Sequence, residues 1–253
     1  MYAFLQRYSW LLIATILFAF DLPDKPLRIF MAGDSTMAIK TERAFPETGW
    51  GVPFAGFFDS SVTVVNKAKN GRSTRTYQSE GIWKEIVSNI QPGDYVFIQF
   101  GHNDESKQKT ERYSSPEDYR KNLVKFIEET ESKKGVPILL TPVARRKFDT
   151  SGRVIDSHPV YSDIVRQIAK ERKIYFIDAD SKTQALYQNL GKEDSKMLFL
   201  QLKPGQHPNY PDGRDDNTHF NELGARLVAQ MILHELRELQ VPLVQRIVKP
   251  VKQ

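Results

Sequence analysis

Short apolar runs alternate with longer amphipathic segments along most of the chain. Five of these runs have the length and the β-branched or aromatic content of buried strands, at residues 27–32, 62–66, 94–100, 136–140 and 174–177. The run at 94–100 is too apolar to have a solvent face, so it belongs inside a sheet that is covered on both sides. The pattern therefore predicts a sheet whose central strands are buried.

Amphipathic helices are predicted at residues 115–134, 159–173 and 221–238, with a short apolar helical stretch at 54–58. In the first of these, Pro116 lies early in the first turn and Gly135 follows the end of the helix. Strands that alternate with helices of this length require crossover connections. The sequence therefore predicts an α/β protein with a mainly parallel sheet and helices on both faces.

Candidate functional residues follow four of the predicted strands. They are expected at the carboxyl ends of the strands, where parallel α/β proteins bind ligands. They are Ser35 after the first strand, Gly71 with Arg72 and Arg75 after the second, Asn103 after the third, and Arg145 with Arg146 after the fourth. Each has a structural alternative. A serine in this place can cap a helix, an asparagine can form a turn, and the arginines can be solvated or tie loops together.

Ser35 ends the stretch Phe30-Met31-Ala32-Gly33-Asp34-Ser35, in which an apolar strand leads into a glycine that permits a sharp turn. We expect Ser35 to lie at a strand-to-helix junction. Unpaired backbone N–H groups at such a junction can hold a developing negative charge beside a hydroxyl nucleophile.

Asp216 and His219 follow a segment at 203–218 that is rich in Pro, Gly, Asn and Asp and is predicted to be a surface loop. An Asp three residues before a His, on one turn, can place both side chains on the same side. Asp216 could then accept a hydrogen bond from His219 Nδ1 and leave Nε2 free as a base. Asp215 adjoins Asp216, and only the spacing favours the latter. The alternative is a helix-capping cluster with a surface histidine.

Composition narrows the class of protein. The chain has 253 residues, of which 40% are hydrophobic and 11% aromatic, enough for one domain with a full core. Its net charge of +5 is spread over 36 basic and 31 acidic residues, without the basic blocks typical of nucleic-acid binding. The absence of cysteine excludes disulfides and thiolate metal sites. Since no His pair has helical ligand spacing either, the sequence predicts no metal site.

The first twenty residues have the layout of a secretory signal, with Arg7 before an apolar run that ends at Phe20. We therefore expect a signal peptide at 1–20, a single domain at 21–253, and an exported protein in the periplasm or outside the cell. Such a protein is not stably inserted in a membrane once the signal is removed. An uncleaved N-terminal anchor is the alternative.

Taken together, Ser35, Gly71, Asn103 and the Asp216/His219 pair occur in the order typical of SGNH, or GDSL-like, hydrolases, which the chain resembles. Longer motifs resemble rhamnogalacturonan acetylesterases of the carbohydrate esterase family 12 type. They are Asn66-x-Ala68-x-x-Gly71-Arg72-Ser73-x-Arg75-Thr76, Gln99-Phe100-Gly101-His102-Asn103-Asp104 and Thr218-His219-Phe220-Asn221-x-x-Gly224-Ala225. The resemblance covers residues 27 to about 239. It implies a three-layer α/β/α sandwich and a cofactor-independent esterase.

The resemblance also implies roles. Ser35 would be the nucleophile, His219 the base and Asp216 its orienter, with the N–H groups of Ser35 and Gly71 and the amide of Asn103 as the oxyanion hole. The implied substrate is an acetylated pectic polysaccharide. Independently of the resemblance, the arginines on two loops at the same end of the sheet favour an acidic glycan, and we expect Arg75 and Arg145 to bind its carboxylates. Two alternatives remain, namely an acetylesterase for another glycan such as xylan and a noncatalytic glycan-binding protein. The second could dispense with His219 and Asn103.

Overall fold

Five apolar strands pair in parallel at the centre of the structure, a computed structural model that describes residues 26–248. Their order in the sheet is β2-β1-β3-β4-β5, with β1 at Leu27–Gly33, β2 at Val62–Asn66, β3 at Tyr95–Gln99, β4 at Val136–Leu140 and β5 at Tyr175–Ile177. All five were predicted, with ends that differ by a residue or two. The predicted signal segment at 1–20 lies outside the described residues.

Helices cover both faces of the sheet, and the side chains of β1 show how the core divides. Ile29 and Met31 enter one buried cluster, whereas Phe30 and Ala32 enter another, because successive residues of a strand point to opposite faces. The first cluster includes residues of α1 (Gly51–Ala55), α6 (Ala179–Asp194) and α7 (Glu222–Glu238). The second includes residues of α2 (Thr74–Ser79), α3 (Ile82–Asn89), α4 (Pro116–Ser132) and α5 (Pro159–Arg172). The predicted α/β/α layering is confirmed.

The strand order locates the site. From β1 the chain passes to β2 on one side, and β3 then lies on the other side of β1. In parallel α/β sheets a crevice opens at this reversal, beyond the carboxyl ends of the two strands. The loops that carry Ser35 and Asn103 leave β1 and β3 there.

The prediction of a loop at 203–218 is wrong at its C-terminal end. Residues Arg214–Phe220 form strand β7, which pairs antiparallel with β6 at Phe199–Leu202. The polar composition of β7 obscured it, since strand formation there depends on the partner that β6 provides. Helices α2, α3 and α6 were not predicted, and the helical stretch expected at 54–58 lies at Gly51–Ala55.

None of the helices within residues 26–248 is long and apolar enough to cross a membrane.

Candidate active site

A tight turn presents Ser35 at the end of β1. Gly33 permits close packing there, because a Cβ at this position would lie 2.8 Å from the sulfur of Met37 and 3.0 Å from the backbone oxygen of Gln99. Asp34 Oδ1 then accepts hydrogen bonds from the N–H of Thr36 at 2.9 Å and from its hydroxyl at 2.8 Å. The expected strand-to-helix junction is wrong, since the backbone N–H groups of Met37 and Ala38 close a turn onto Asp34 O and no helix begins.

Ser35, His219 and Asp216 form one hydrogen-bonded chain. Ser35 Oγ lies 2.9 Å from His219 Nε2, and His219 Nδ1 lies 2.8 Å from Asp216 Oδ2. With the proton on Nδ1 donated to the carboxylate, Nε2 accepts the hydrogen bond of the serine hydroxyl. This arrangement can remove the hydroxyl proton as the oxygen attacks a carbonyl carbon.

The local geometry of Asp216 differs from the prediction of one helical turn, because both residues lie on β7. Asp216 Oδ1 accepts hydrogen bonds from the backbone N–H groups of Thr218 at 2.8 Å and His219 at 2.9 Å. Because Oδ1 accepts both of these backbone hydrogen bonds, Oδ2 is left to accept the one from the imidazole of His219. Asp215 instead accepts a hydrogen bond from Gln201 Nε2 at 2.8 Å, so the geometry favours Asp216 as the partner of His219.

The surroundings of Asp216 keep its carboxyl group ionised. Burial by itself raises the pKa of this carboxyl, but the hydrogen bond and charge of His219 and the two backbone N–H donors outweigh burial and hold the pKa well below its usual range. Asp216 therefore stays ionised at neutral and mildly acidic pH. An ionised carboxylate at this position stabilises the imidazolium that forms when His219 takes a proton.

Gly71 and Asn103 line the same cleft as Ser35 and His219, a concavity of about 350 Å³. Gly71 has φ +76°, a left-handed conformation that favours glycine. Within residues 26–248 the N–H groups of Ser35 and Gly71 have no hydrogen-bond acceptor. Asn103 donates one amide hydrogen to Arg72 O at 3.0 Å, which leaves its second amide hydrogen unused.

Two cations that sequence reasoning missed hold these groups in place. Arg112 Nη1 donates to Asn103 Oδ1 at 2.8 Å and lies 3.4 Å from Gly71 O, so it fixes which end of the Asn103 amide is the donor. Lys40 donates to Ser35 O at 2.6 Å and pairs with Glu47 at 2.7 Å, and its side chain is only 5% exposed. Neither residue lies in a recognisable motif, so no local signal identified them.

The four arginines considered from the sequence separate in space. Arg145 lines the cleft, where Nη1 donates to Thr218 Oγ1 at 2.7 Å. Arg75 lies on α2 and lines a separate groove, outside the cleft. Arg72 pairs with Glu80 at 3.0 Å, and the buried Arg146 donates to the side chains of Ser195 and Asn217. The structure thus brings Arg145 to the site but not Arg75, and Lys109 and Arg112 also line the cleft.

A buried pair of acid–histidine contacts lies beneath the cleft. His102 Nδ1 is 3.3 Å from Asp34 Oδ2, and His158 Nδ1 is 2.9 Å from Glu105 Oε2. Burial, aided by the neighbouring His158, lowers the pKa of His102 to about 4. The imidazole of His102 is therefore neutral at neutral pH. Within residues 26–248 no group of three or more His, Asp or Glu side chains is arranged to hold a metal ion.

Comparison with known proteins adds a family and several relatives. The model of the GDSL-like Lipase/Acylhydrolase family matches residues 31–227. The rhamnogalacturonan acetylesterase RhgT of Bacillus subtilis (strain 168) is 41% identical over 219 residues, which are 87% of this chain and 93% of RhgT. The probable rhamnogalacturonan acetylesterase YesY of the same organism is 33% identical over 87% of this chain and 97% of its own length.

Among solved structures, the crystal structure of protein YxiM from Bacillus subtilis is similar to this chain, with a TM-score of 0.73 and 25% identity. The match covers 85% of this chain and 57% of the YxiM chain, so this chain spans little more than half the length of that protein.

Proposed function

We propose that this chain, which belongs to the GDSL-like Lipase/Acylhydrolase family, is a serine esterase that removes O-acetyl groups from pectic polysaccharide, rhamnogalacturonan in particular. The observation that carries the proposal is the hydrogen-bonded chain from Ser35 through His219 to Asp216, with links of 2.9 and 2.8 Å. The names of the two Bacillus relatives support the acetyl ester and the pectic substrate.

The first half of the reaction forms an acetyl-serine. Ser35 Oγ attacks the acetyl carbonyl carbon while its proton passes to His219 Nε2, and Asp216 stabilises the resulting imidazolium. The carbonyl oxygen becomes an oxyanion that receives hydrogen bonds from the N–H groups of Ser35 and Gly71 and from the Asn103 amide. Each such donor is worth about 3 kcal/mol of barrier, because it is aimed in advance at the charge that develops.

Collapse of the tetrahedral intermediate breaks the bond to the sugar oxygen, and His219 gives its proton to that oxygen, so the sugar leaves as a free hydroxyl. A water molecule then attacks the acetyl-serine with His219 again taking a proton. A second collapse breaks the bond between the acetyl carbon and Ser35 Oγ, His219 returns its proton to Oγ, and acetic acid leaves and ionises to acetate. The same groups serve both halves, since the attacking and leaving oxygens occupy equivalent positions.

The charge of the cleft supports an acidic glycan. Lys109, Arg112 and Arg145 line the cleft, and Glu47 is its one acidic lining residue. Lys109 is exposed, and Arg145 is half-buried beside Glu105, 3.4 Å away. Arginine and lysine bind carboxylates through charge-assisted hydrogen bonds, which suits a uronate unit at or beside the acetylated position.

The proposal is tested by measuring acetate release from acetylated rhamnogalacturonan, xylan and mannan fractions. We expect the highest kcat/KM on rhamnogalacturonan. Turnover confined to xylan or mannan would refute the pectic substrate and indicate that the enzyme acts on a neutral glycan. Failure to hydrolyse any acetyl ester, including a small synthetic one, would mean a noncatalytic glycan-binding protein.

The uronate contact is tested with Lys109→Gln and Arg145→Gln, compared on an acetylated pectic fragment and a small neutral acetyl ester. Loss of a charged contact should lower kcat/KM on the pectic fragment alone by roughly ten- to hundredfold. Equal losses on both substrates would mean that the cations hold the site together. Arg75→Gln is the matched control, since Arg75 lies outside the cleft.

Export is the remaining part of the proposal, and it rests on Arg7 and the apolar run to Phe20. The mature chain should then begin near Asp21. N-terminal sequencing of the protein from the periplasm or the culture medium checks this, and a cytosolic protein that retains residues 1–20 would contradict it.

A further inference from the structure

A second concavity adjoins the cleft of Ser35, with a volume of about 620 Å³ and a largely apolar wall. Three exposed side chains supply that wall: Ile39 is 64% exposed, Phe45 is 45% and Val52 is 43%. His207 faces Phe45, with ring centroids 5.5 Å apart. We call this concavity the Phe45 groove. Exposed apolar side chains gathered beside an active site indicate a binding surface.

The groove adjoins the cleft, because Glu47 lines both. Lys40 links them further, since its ammonium pairs with Glu47 at 2.7 Å and donates to Ser35 O at 2.6 Å. A sugar chain bound at Ser35 can therefore extend into the groove.

The wall of the groove is built in advance. Asn209 Nδ2 donates to the carbonyl oxygens of Glu42 and Phe45, each at 2.9 Å, and the Tyr210 hydroxyl donates to Ala44 O at 2.8 Å. These bonds join two segments that are far apart in sequence and hold the backbone that carries Phe45. A segment held in this way loses little backbone entropy when a ligand packs against it.

The two concavities differ in the charge of their lining residues. Glu42, Glu47 and Glu222 line the groove, with Lys40 as the one Lys or Arg among its lining residues. The cleft has the opposite balance, with three cations and one carboxylate. A uronate is therefore favoured in the cleft and disfavoured in the groove, where like charges repel it. The groove suits a neutral unit with an apolar face.

We propose that the Phe45 groove is a subsite for a neutral 6-deoxyhexose unit of the same glycan, next to the unit bound at Ser35. The inference rests on the proposed function, because rhamnogalacturonan combines galacturonate, a uronate, with rhamnose, a neutral 6-deoxyhexose. The methyl group and the ring C–H bonds of a 6-deoxyhexose pack on Phe45 and Val52, and its hydroxyls face the carboxylates at the rim. Occupation of both concavities fixes the direction of the glycan chain.

The test measures how two unacetylated tetrasaccharides inhibit turnover of a small acetyl ester. One alternates rhamnose with galacturonate, and the other contains galacturonate only. The alternating fragment should inhibit the wild-type protein about tenfold more tightly, the size of one aromatic packing contact. Phe45→Ala should abolish that difference, and Phe45→Trp should retain it. Val160→Ala is the matched control, because Val160 is 53% exposed and lines neither concavity.

Equal inhibition of the wild-type protein by the two fragments, or a preference that survives in Phe45→Ala, would overturn the inference. No inhibition by either fragment would also overturn it. Acetate release from rhamnogalacturonan tests the proposed function separately. If no acetate is released but the preference for the alternating fragment still depends on Phe45, the proposed reaction is refuted and the subsite is supported.

Discussion

Replacement of Arg112 by methionine tests whether the orientation of one amide contributes to turnover. Methionine keeps an unbranched side chain but removes the guanidinium that donates to Asn103 Oδ1 at 2.8 Å. Asn103 is only 8% exposed, so its amide has little access to water as a substitute partner. A hydrogen bond to a charged group is worth about 1.5–3 kcal/mol. If that energy keeps the Asn103 donor aimed at the oxyanion, its loss corresponds to a roughly ten- to hundredfold decrease in kcat.

A double-mutant cycle separates this role from a general structural one. Asn103→Ala should lower kcat on a small acetyl ester by about 10²- to 10³-fold, the usual cost of one oxyanion donor. Arg112→Met in that background should cost little more, because Arg112 then has no amide to orient and its remaining contact, with Gly71 O at 3.4 Å, is long and weak. KM for the small ester should stay nearly unchanged in all three variants, since the donor acts on charge that develops only in the transition state.

Losses that multiply in the double variant would refute the reasoning, because they would show that Arg112 acts independently of Asn103. The matched control is Arg172→Met. Arg172 forms a surface ion pair with Glu128 at 2.6 Å and lies outside the cleft, so this variant should retain wild-type kcat.

Three further predictions follow from the same site. Ser35→Ala and His219→Ala should each abolish turnover, whereas Asp216→Asn should leave more residual activity. A serine-directed phosphonate should label Ser35. Labelling of another residue, together with full activity in Ser35→Ala, would exclude the assignment. Turnover should survive a chelator, since these three residues carry each proposed proton transfer, and activity restored by one specific ion would contradict that mechanism. Burial alone raises the pKa of Asp34, but His102 and the hydrogen bonds of the turn lower it to about 2 from 3.8. Ionised Asp34 therefore contributes about 2 kcal/mol of stability above pH 4 that is lost as the pH falls toward 2. Asp34→Asn should lower the free energy of unfolding in urea more at pH 6 than at pH 3, and an equal loss at both would count against this account.

Local patterns in the sequence determined the sheet and the candidate nucleophile. The five central strands are continuous apolar runs because both faces of a parallel sheet are covered, and burial of that kind is visible from composition alone. Gly33 before Ser35 marked the end of the strand, where a Cβ would crowd the Met37 side chain at 2.8 Å and Gln99 O at 3.0 Å. Asp216 and His219 are three residues apart, so their contact is local as well.

Only the tertiary structure decided which of these local features meet. Ser35 and His219 are 184 positions apart, and their 2.9 Å contact exists because β1 and β7 deliver both to one crevice. Strand β7 was missed because its polar residues form a strand only when they pair with β6. No local sequence pattern predicts that pairing. Arg112 has no motif, and its position beside Asn103 follows from how the loop after β3 folds back on itself. Long-range packing of this kind depends on where distant segments meet in space, and residue type at a single position does not encode it.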